Sequence, residues 1–302
     1  MFLWAFIHPL SKILLKTIPP SNLAFFRVLF SMFFFVPMFA LAKIPSEEKS
    51  VKKRWSAKNW KTLVLLAVIG SFAPTFLQAW GLSFTTASAS AVIVNTNPFF
   101  VILVAALLLG RKISLQKGVG VTLGIAGVTL VASNGDFSFL STKFFLGNML
   151  VLGNAFFTGI ATVVAEDVSK NLGGFRMQYY TNFLALPLFI AGLVLFGGLN
   201  SISSIGIWEW LGLLALGVIF SGFCVGIFNT ALPKIGAENA ALFKLLIPVI
   251  SIVYSVVLLD EKLSPVFALG TALVLSGLFL ALKDGKRKAA ETEKTQLLGM
   301  QA

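Results

Sequence analysis

Apolar residues gather in ten blocks of 16 to 25 residues, separated mostly by short polar stretches. The blocks are 1–16, 22–42, 62–84, 88–110, 115–134, 146–167, 175–199, 208–231, 238–259 and 264–283. About 20 apolar residues in helical form cross a hydrocarbon core of about 30 Å. The pattern therefore predicts an all-α membrane protein of ten transmembrane helices. Two longer polar stretches stand apart, 43–61 (KIPSEEKSVKKRWSAKNWK) and the tail 284–302. The first block is short and holds His8, Pro9, Lys12 and Lys16. It lacks the basic lead and small-residue cleavage site of a signal peptide. It reads as the second part of a membrane helix whose start lies upstream, or as a short first helix.

Composition agrees with this pattern. Apolar residues make up 57% of the chain, charged residues 12%, and mean hydropathy is +0.90. Soluble domains carry about 25% charged residues, so this chain cannot cover a soluble core. Soluble enzymes, secreted disulfide scaffolds and free nucleic-acid binders are excluded. One cysteine, Cys224, and one histidine, His8, leave no thiol or imidazole cluster for a metal. No cofactor and no metal are expected, and the partners are the lipid bilayer and a small-molecule substrate.

The net charge of +12 acquires meaning from its placement. With the N-terminus in the cytoplasm, 18 of the 24 Lys and Arg fall in inner segments and only Lys143 and Lys262 in outer ones. Such a bias sets orientation. Both termini are expected to be cytoplasmic, in the plasma membrane of a prokaryote.

The chain repeats itself after 150 residues. GLSFTTASASAVIVNTNPFFVILVAALLLGRKIS (81–114) aligns with ALPKIGAENAALFKLLIPVISIVYSVVLLDEKLS (231–264). Pro98 falls on Pro248, Ser114 on Ser264, Gly120 on Gly270 and Gly127 on Gly277. Phe26-Arg27 matches Phe175-Arg176 after a one-residue slip. Residues 1–134 and 146–283 are thus two five-helix halves, joined by an external connection at 135–145. Five is odd, so the second half enters the membrane inverted. Inverted repeats are a device of transporters, with the substrate near the midplane between the halves. Duplication for assembly alone is the alternative.

These residues resemble the drug/metabolite transporter superfamily, EamA type, over about 1–283. The resemblance rests on Trp4 to Lys12, Pro19-Pro20 followed by Arg27, Gly81 through Ser90 to Pro98, then GRKIS and LGIAGV. In the second half ALPKIGAENAALFKLLIPV, DEKLS and LVLSGL carry it. Ala5 and Arg111 depart from the usual glycine and glutamate. The resemblance implies ten helices, a central cavity between the halves and secondary transport without ATP. It implies cargo among amino acids, related metabolites, nucleotide derivatives and drugs, often moved outward.

Pro98 and Pro248 sit near the middle of their blocks. A helical proline has no N–H, so the carbonyls of Val94 and Lys244 lose their partners. Such breaks mark a site or serve packing. Asn95, Thr96 and Asn97 stand beside Pro98. Lys244 faces a wet cavity or snorkels to the inner surface. His8 and Lys12 share one helix face. Gln78 and Trp80 near the outer side, with Asn154 and Tyr180 in blocks six and seven, complete the candidate substrate-binding set. Arg27 at the outer side, and Glu166 with Arg176 at the inner side, are candidate gates; Asp167, Tyr179 and Asn182 lie beside the latter. Trp55, Trp60, Trp208 and Trp210 read as an interfacial belt. Gly120-x-x-x-Gly124 and Gly222-x-x-x-Gly226 allow packing within a monomer or across a homodimer.

The spans hold Lys12, Arg27 and Lys244 but no acidic residue near their centres. A positive interior suits a carboxylate, a zwitterion or a phosphate ester. The expected cargo is a small polar metabolite, an amino acid or a relative of one. A membrane enzyme would need an acidic pair or a His-based constellation at depth, and none stands out. A passive channel would want rings of one residue type. An importer of the same fold, a carrier of nucleotide-like compounds or a drug exporter remains open. A quaternary cation dye should not be a substrate. Its strong uptake in proteoliposomes, undiminished in Lys244→Ala, would overturn the anionic reading.

Overall fold

A computed structural model describes residues 1–41, 57–111, 113–134, 143–228 and 243–299. Most of the 43–61 loop, most of the 135–145 connection, the 232–237 segment, the start of the ninth block and residues 300–302 lie outside the described residues, as do Lys112 and the Asp167 side chain.

The described residues form helices and no strand. They are α1 (Phe2–Leu14), α2 (Pro20–Leu41), α3 (Asn59–Phe84), α4 (Ala87–Leu109), α5 (Leu115–Ser133), α6 (Lys143–Leu172), α7 (Gly174–Leu195), α8 (Ile207–Phe228), α9 (Leu246–Leu259) and α10 (Pro265–Gly299). Eight contain a stretch long and apolar enough to span a membrane, while α1 and α9 are shorter apolar helices. These fall on the apolar blocks, because lipid offers backbone N–H and C=O no other partner; α10 continues beyond its block into the polar tail, as far as Gly299. A 3-10 turn, Gly198–Ser204, links α7 to α8.

Two connections 150 residues apart are built alike. Gly110 and Asp260 both adopt left-handed backbone, with φ of 63° and 54°. The next amides, of Arg111 and Glu261, reach back to the carbonyls of Ala105 and Ser255. Ser114 and Ser264 then cap α5 and α10 by accepting from the amides of Lys117 and Phe267 at 3.3 and 3.0 Å. A helix starts with unpaired N–H groups, and a serine oxygen there satisfies one of them.

α5 and α10 approach closely, antiparallel, through glycines. A Cβ on Gly120 would lie 2.6 Å from the Gly277 carbonyl oxygen, and one on Gly127 2.6 Å from that of Gly270. In lipid, association cannot draw on expelling water, so backbone proximity and dispersion carry it. Gly222 and Gly226 lie against Phe34 of α2 in the same chain.

α3 and α8 each widen into a π-helical stretch, Ala67–Phe72 and Ala215–Phe223. In α3 the cause is visible. Pro74 cannot donate to the carbonyl four residues back, so the ladder slips by one residue just before it. α8 has no such proline, but Gly217 and Gly222 within it let α2 press close through Phe30 and Phe34. The π stretch of α3 packs on α7, and that of α8 on α2. α4 is interrupted at Asn95 and Thr96, and the helix before α9 at Leu245, each just ahead of Pro98 or Pro248.

Gly127→Val should force α10 away. Overpacking of this kind costs about 1–3 kcal/mol, so the detergent-solubilised variant should melt several degrees lower. Gly118→Ala, with nothing within 4 Å of its Cβ, should melt no lower than the parent.

Candidate functional site

A polar cavity of about 140 Å³ lies among α1, α2, α3, α7 and α8. Arg27 of α2 forms one wall, with the hydroxyls of Ser31, Ser71, Thr75 and Ser221. The amides of Gln178 and Asn182 form another, and Trp4 and Phe220 supply apolar faces. None of the lining residues is acidic.

Arg27 donates from Nε to Ser221 Oγ at 2.9 Å and from Nη1 to Gln78 Oε1 at 3.0 Å. A guanidinium can only donate, so it fixes the Gln78 amide with oxygen toward Arg27. The Gln78 nitrogen then faces His8 and donates to Nδ1 at 3.4 Å. Ser90 Oγ lies 3.2 Å from the same nitrogen. His8 Nδ1 is thereby an acceptor, and the ring proton sits on Nε2. His8, Gln78 and Ser90 are all buried. One chain of polar contacts thus joins α4, α1, α3, α2 and α8.

The opposite wall is equally ordered. Asn182 Oδ1 accepts from Ser71 Oγ at 3.0 Å and from Gln178 Nε2 at 2.9 Å. Asn182 Nδ2 donates to Ser31 Oγ at 3.4 Å, and Ser31 donates to the Val28 carbonyl at 2.7 Å. Ser71 and Ser221 occupy the two π stretches, 150 residues apart. Both serines line the cavity.

Charge balance decides what this cavity can hold. Placing a cation at mid-membrane costs about 3 kcal/mol on insertion scales. Arg27 meets that cost with neutral oxygens. Among the described residues no carboxylate pairs with it, and both N–H groups of Nη2 remain for a ligand. Nη2 can donate to a carboxylate oxygen with the added strength of a charge-assisted hydrogen bond.

The polar turn between α3 and α4 closes one end. Lys12 Nζ donates to the carbonyls of Leu82 and Thr85 at 2.8 and 2.6 Å, and to Ser83 at 3.4 Å. Glu261 accepts from the amides of Ala87 and Ser88 at 2.7 and 3.1 Å. A cation thus sits on the C-terminus of α3 and an anion on the N-terminus of α4, the signs that helix ends favour. At the other end Arg111 donates to Glu166 at 3.0 Å. That pair is largely exposed, and such pairs contribute little.

The structure brings His8, Gln78 and Arg27 together. It places Lys12 on the end of α3 rather than in the cavity. Asn95 donates to the Ala91 carbonyl at 2.7 Å, spending its amide on its own helix, and Asn97 begins the second segment of α4. Asn154 donates to the Pro74 carbonyl at 2.6 Å and ties α6 to α3. Trp80 packs on Phe76 and Phe196, and Tyr180 on Phe39, Trp60 and Tyr179. Arg176 lies over the Phe39 ring at 5.9 Å. The Lys244 ammonium neither snorkels outward nor lines this cavity; it lies over Phe228 and Trp4 at 4.2 and 5.4 Å. Trp60 and Trp208 are exposed, whereas Trp210 packs on Phe26 at 4.8 Å between centroids.

Sequence reading missed Ser31, Ser71, Thr75, Gln178 and Ser221. Ser71 and Ser221 were accessible to it, since they coincide under the 150-residue shift. A larger cleft, about 300 Å³, opens between α4, α5 and α6. Its walls are Phe99, Phe100, Val128, Met149 and similar residues, with no charged group to fix a polar ligand.

Known proteins resemble this chain along most of its length. An uncharacterized transporter of Archaeoglobus fulgidus is 26% identical over 280 residues, 93% of each chain. A probable amino-acid metabolite efflux pump of Escherichia coli is 26% identical over 294 residues, 92% of this chain and 90% of that one. A probable terminal-alkyne amino-acid exporter of Streptantibioticus cattleyicolor is 25% identical over 251 residues, 80% of each. A solved crystal structure shares the fold with a TM-score of 0.61 and 17% identity, over 94% of both chains. The EamA-like transporter family matches residues 1–133 and 145–283. With eight membrane-length and two shorter apolar helices among the described residues, and a match across nearly its whole length, this multi-pass membrane protein belongs to the EamA-like transporter family.

Proposed function

We propose that the protein carries a small carboxylate-bearing compound, an amino acid or a close relative, outward across the plasma membrane by alternating access. The observation that carries this reading is Arg27, a buried guanidinium with donors to spare, facing a cavity walled by neutral polar groups. The substrate carboxylate would take the free Nη2 edge. Hydroxyl oxygens of Ser31 and Thr75 would accept from a substrate ammonium. A cavity of about 140 Å³ corresponds to four or five water volumes of about 30 Å³ each, which suits a compound of few carbons. Outward direction is supported by the two relatives named as an efflux pump and an exporter.

The halves 1–134 and 146–283 would move against each other as inverted repeats with both termini cytoplasmic. The 150-residue shift, the matched turns at Gly110 and Asp260, the reciprocal glycines of α5 and α10 and the two π stretches support this. In that orientation the clamp of Lys12 and Glu261 faces outward. Gln178 and Asn182, in the first turns of α7, lie on the cytoplasmic side of Arg27. The cavity then receives its cargo from within.

Counterflow in proteoliposomes loaded with an amino-acid mixture tests the site. Arg27→Gln should lower saturable uptake at least tenfold, and Arg27→Lys should restore only part, because an ammonium lacks the planar pair of donors. Full uptake in Arg27→Gln would overturn the assignment.

Topology is tested separately. A fluorescent protein fused after Ala302 should fluoresce, and alkaline phosphatase inserted at 135–142 should be active. The opposite pattern would reverse the orientation and the direction of access together.

A further inference from the structure

Trp4 lines the Arg27 cavity and also carries the Lys244 ammonium, 5.4 Å from its ring centroid. Phe228 packs edge-on against Trp4, centroids 5.5 Å apart, and its own ring lies 4.2 Å from Lys244 Nζ. Lys244 stands just before the helix break at Leu245, ahead of α9 and Pro248. Intramembrane cations are retained for function more often than for packing. Among the described residues the two aromatic faces are the contacts of this ammonium, and no anion or carbonyl holds it. An aromatic face stabilises a cation through its quadrupole but uses none of its N–H donors. The ammonium is left without a hydrogen-bond acceptor among the described residues.

Two cations without a carboxylate partner among the described residues therefore lie near Trp4: Arg27 lines the same cavity, and the Lys244 ammonium lies over the Trp4 ring. A ligand with a single carboxylate neutralises one of them and leaves the other. A ligand with two anionic groups neutralises both, and the small cavity restricts it to a short carbon chain.

We propose that Lys244 is a second anion-holding position adjoining the Arg27 cavity, with Trp4 in contact with both the cavity and the ammonium, and that the protein selects short compounds with two anionic groups, dicarboxylates or acidic amino acids, over equally sized compounds with one. This rests on the reading of Arg27 as a carboxylate site. On binding, Lys244 swings from the aromatic faces to the second carboxylate. Arg27 and its partners hold the first.

The test uses isosteric pairs, L-aspartate with L-asparagine and L-glutamate with L-glutamine, which differ only by a carboxylate oxygen against an amide NH2. Competition in counterflow is measured on the full chain, alongside ligand-induced shifts in melting temperature. The acidic member of each pair should compete at least tenfold better in the parent protein. Lys244→Gln should lower the affinity for the acidic member at least tenfold more than for its amide. Lys244→Arg should recover much of the discrimination, which a variant that merely misfolds cannot do. Equal competition by the two members, no binding of either acidic compound, or an equal loss for both in Lys244→Gln would overturn the proposal. Arg27→Gln separates it from the reading beneath. That variant should weaken both members of each pair, and unaltered binding of both would mean that the carboxylate site itself is misassigned.

Discussion

A guanidinium held in the middle of an apolar bundle has to be satisfied, and most of the polar architecture follows from how Arg27 is satisfied. A carboxylate partner would neutralise it and fill the space beside it. Neutral oxygens from Gln78 and Ser221 leave the charge in place. The choice propagates. Arg27 orients the Gln78 amide, Gln78 fixes the His8 tautomer, and Ser90 completes the chain from α4. Each member has partners, as a buried network requires if it is to stabilise rather than strain the core. The remaining donors of Arg27 are the unsaturated part of this network, and a ligand would complete it.

The frame around that network divides into stiff and soft parts. α5 and α10 meet backbone to backbone through Gly120, Gly127, Gly270 and Gly277. Close-packed backbones admit little rearrangement. α3 and α8 lose regular α-helical hydrogen bonding in their π stretches, which pack on α7 and α2 respectively. Irregular turns tolerate changes of register at lower cost than a continuous α-ladder. Of the polar side chains that line the cavity, Ser71 and Ser221 stand on these stretches. The clamp at residues 82–88 uses helix-end dipoles, with Lys12 on carbonyls and Glu261 on amides. It ties α1 and the turn before α10 to one point.

Aromatic residues complete the lining. Phe26, Phe30 and Trp210 join α2 to α8, while Phe72, Phe76 and Phe189 join α3 to α7. These rings pack edge-on or tilted, except Phe72 and Phe76, which stack. Trp4 differs from them in touching both the cavity and a cation.

The sequence by itself determined the ten helices and the family. Lipid offers no partner for backbone N–H and C=O, so a sufficiently long apolar block has helix as its one available form. The repeat and the glycine pairs are visible in residue identity and spacing. Of the candidate site, Arg27, Gln78 and His8 were legible because charged and amide groups are costly at depth. Their grouping was not. Lys12 and Arg27 look equivalent in a list of buried cations, yet one caps a helix and the other faces a cavity. Asn95 and Asn154 look equivalent to Asn182, yet Asn95 donates to its own helix and Asn154 ties α6 to α3, while Asn182 stands on the cavity wall. Ser71 and Ser221 are ordinary serines in the sequence, yet both line the cavity. Only tertiary structure decided these roles, because side-chain direction depends on helix register and on which neighbouring groups already hold the donors and acceptors.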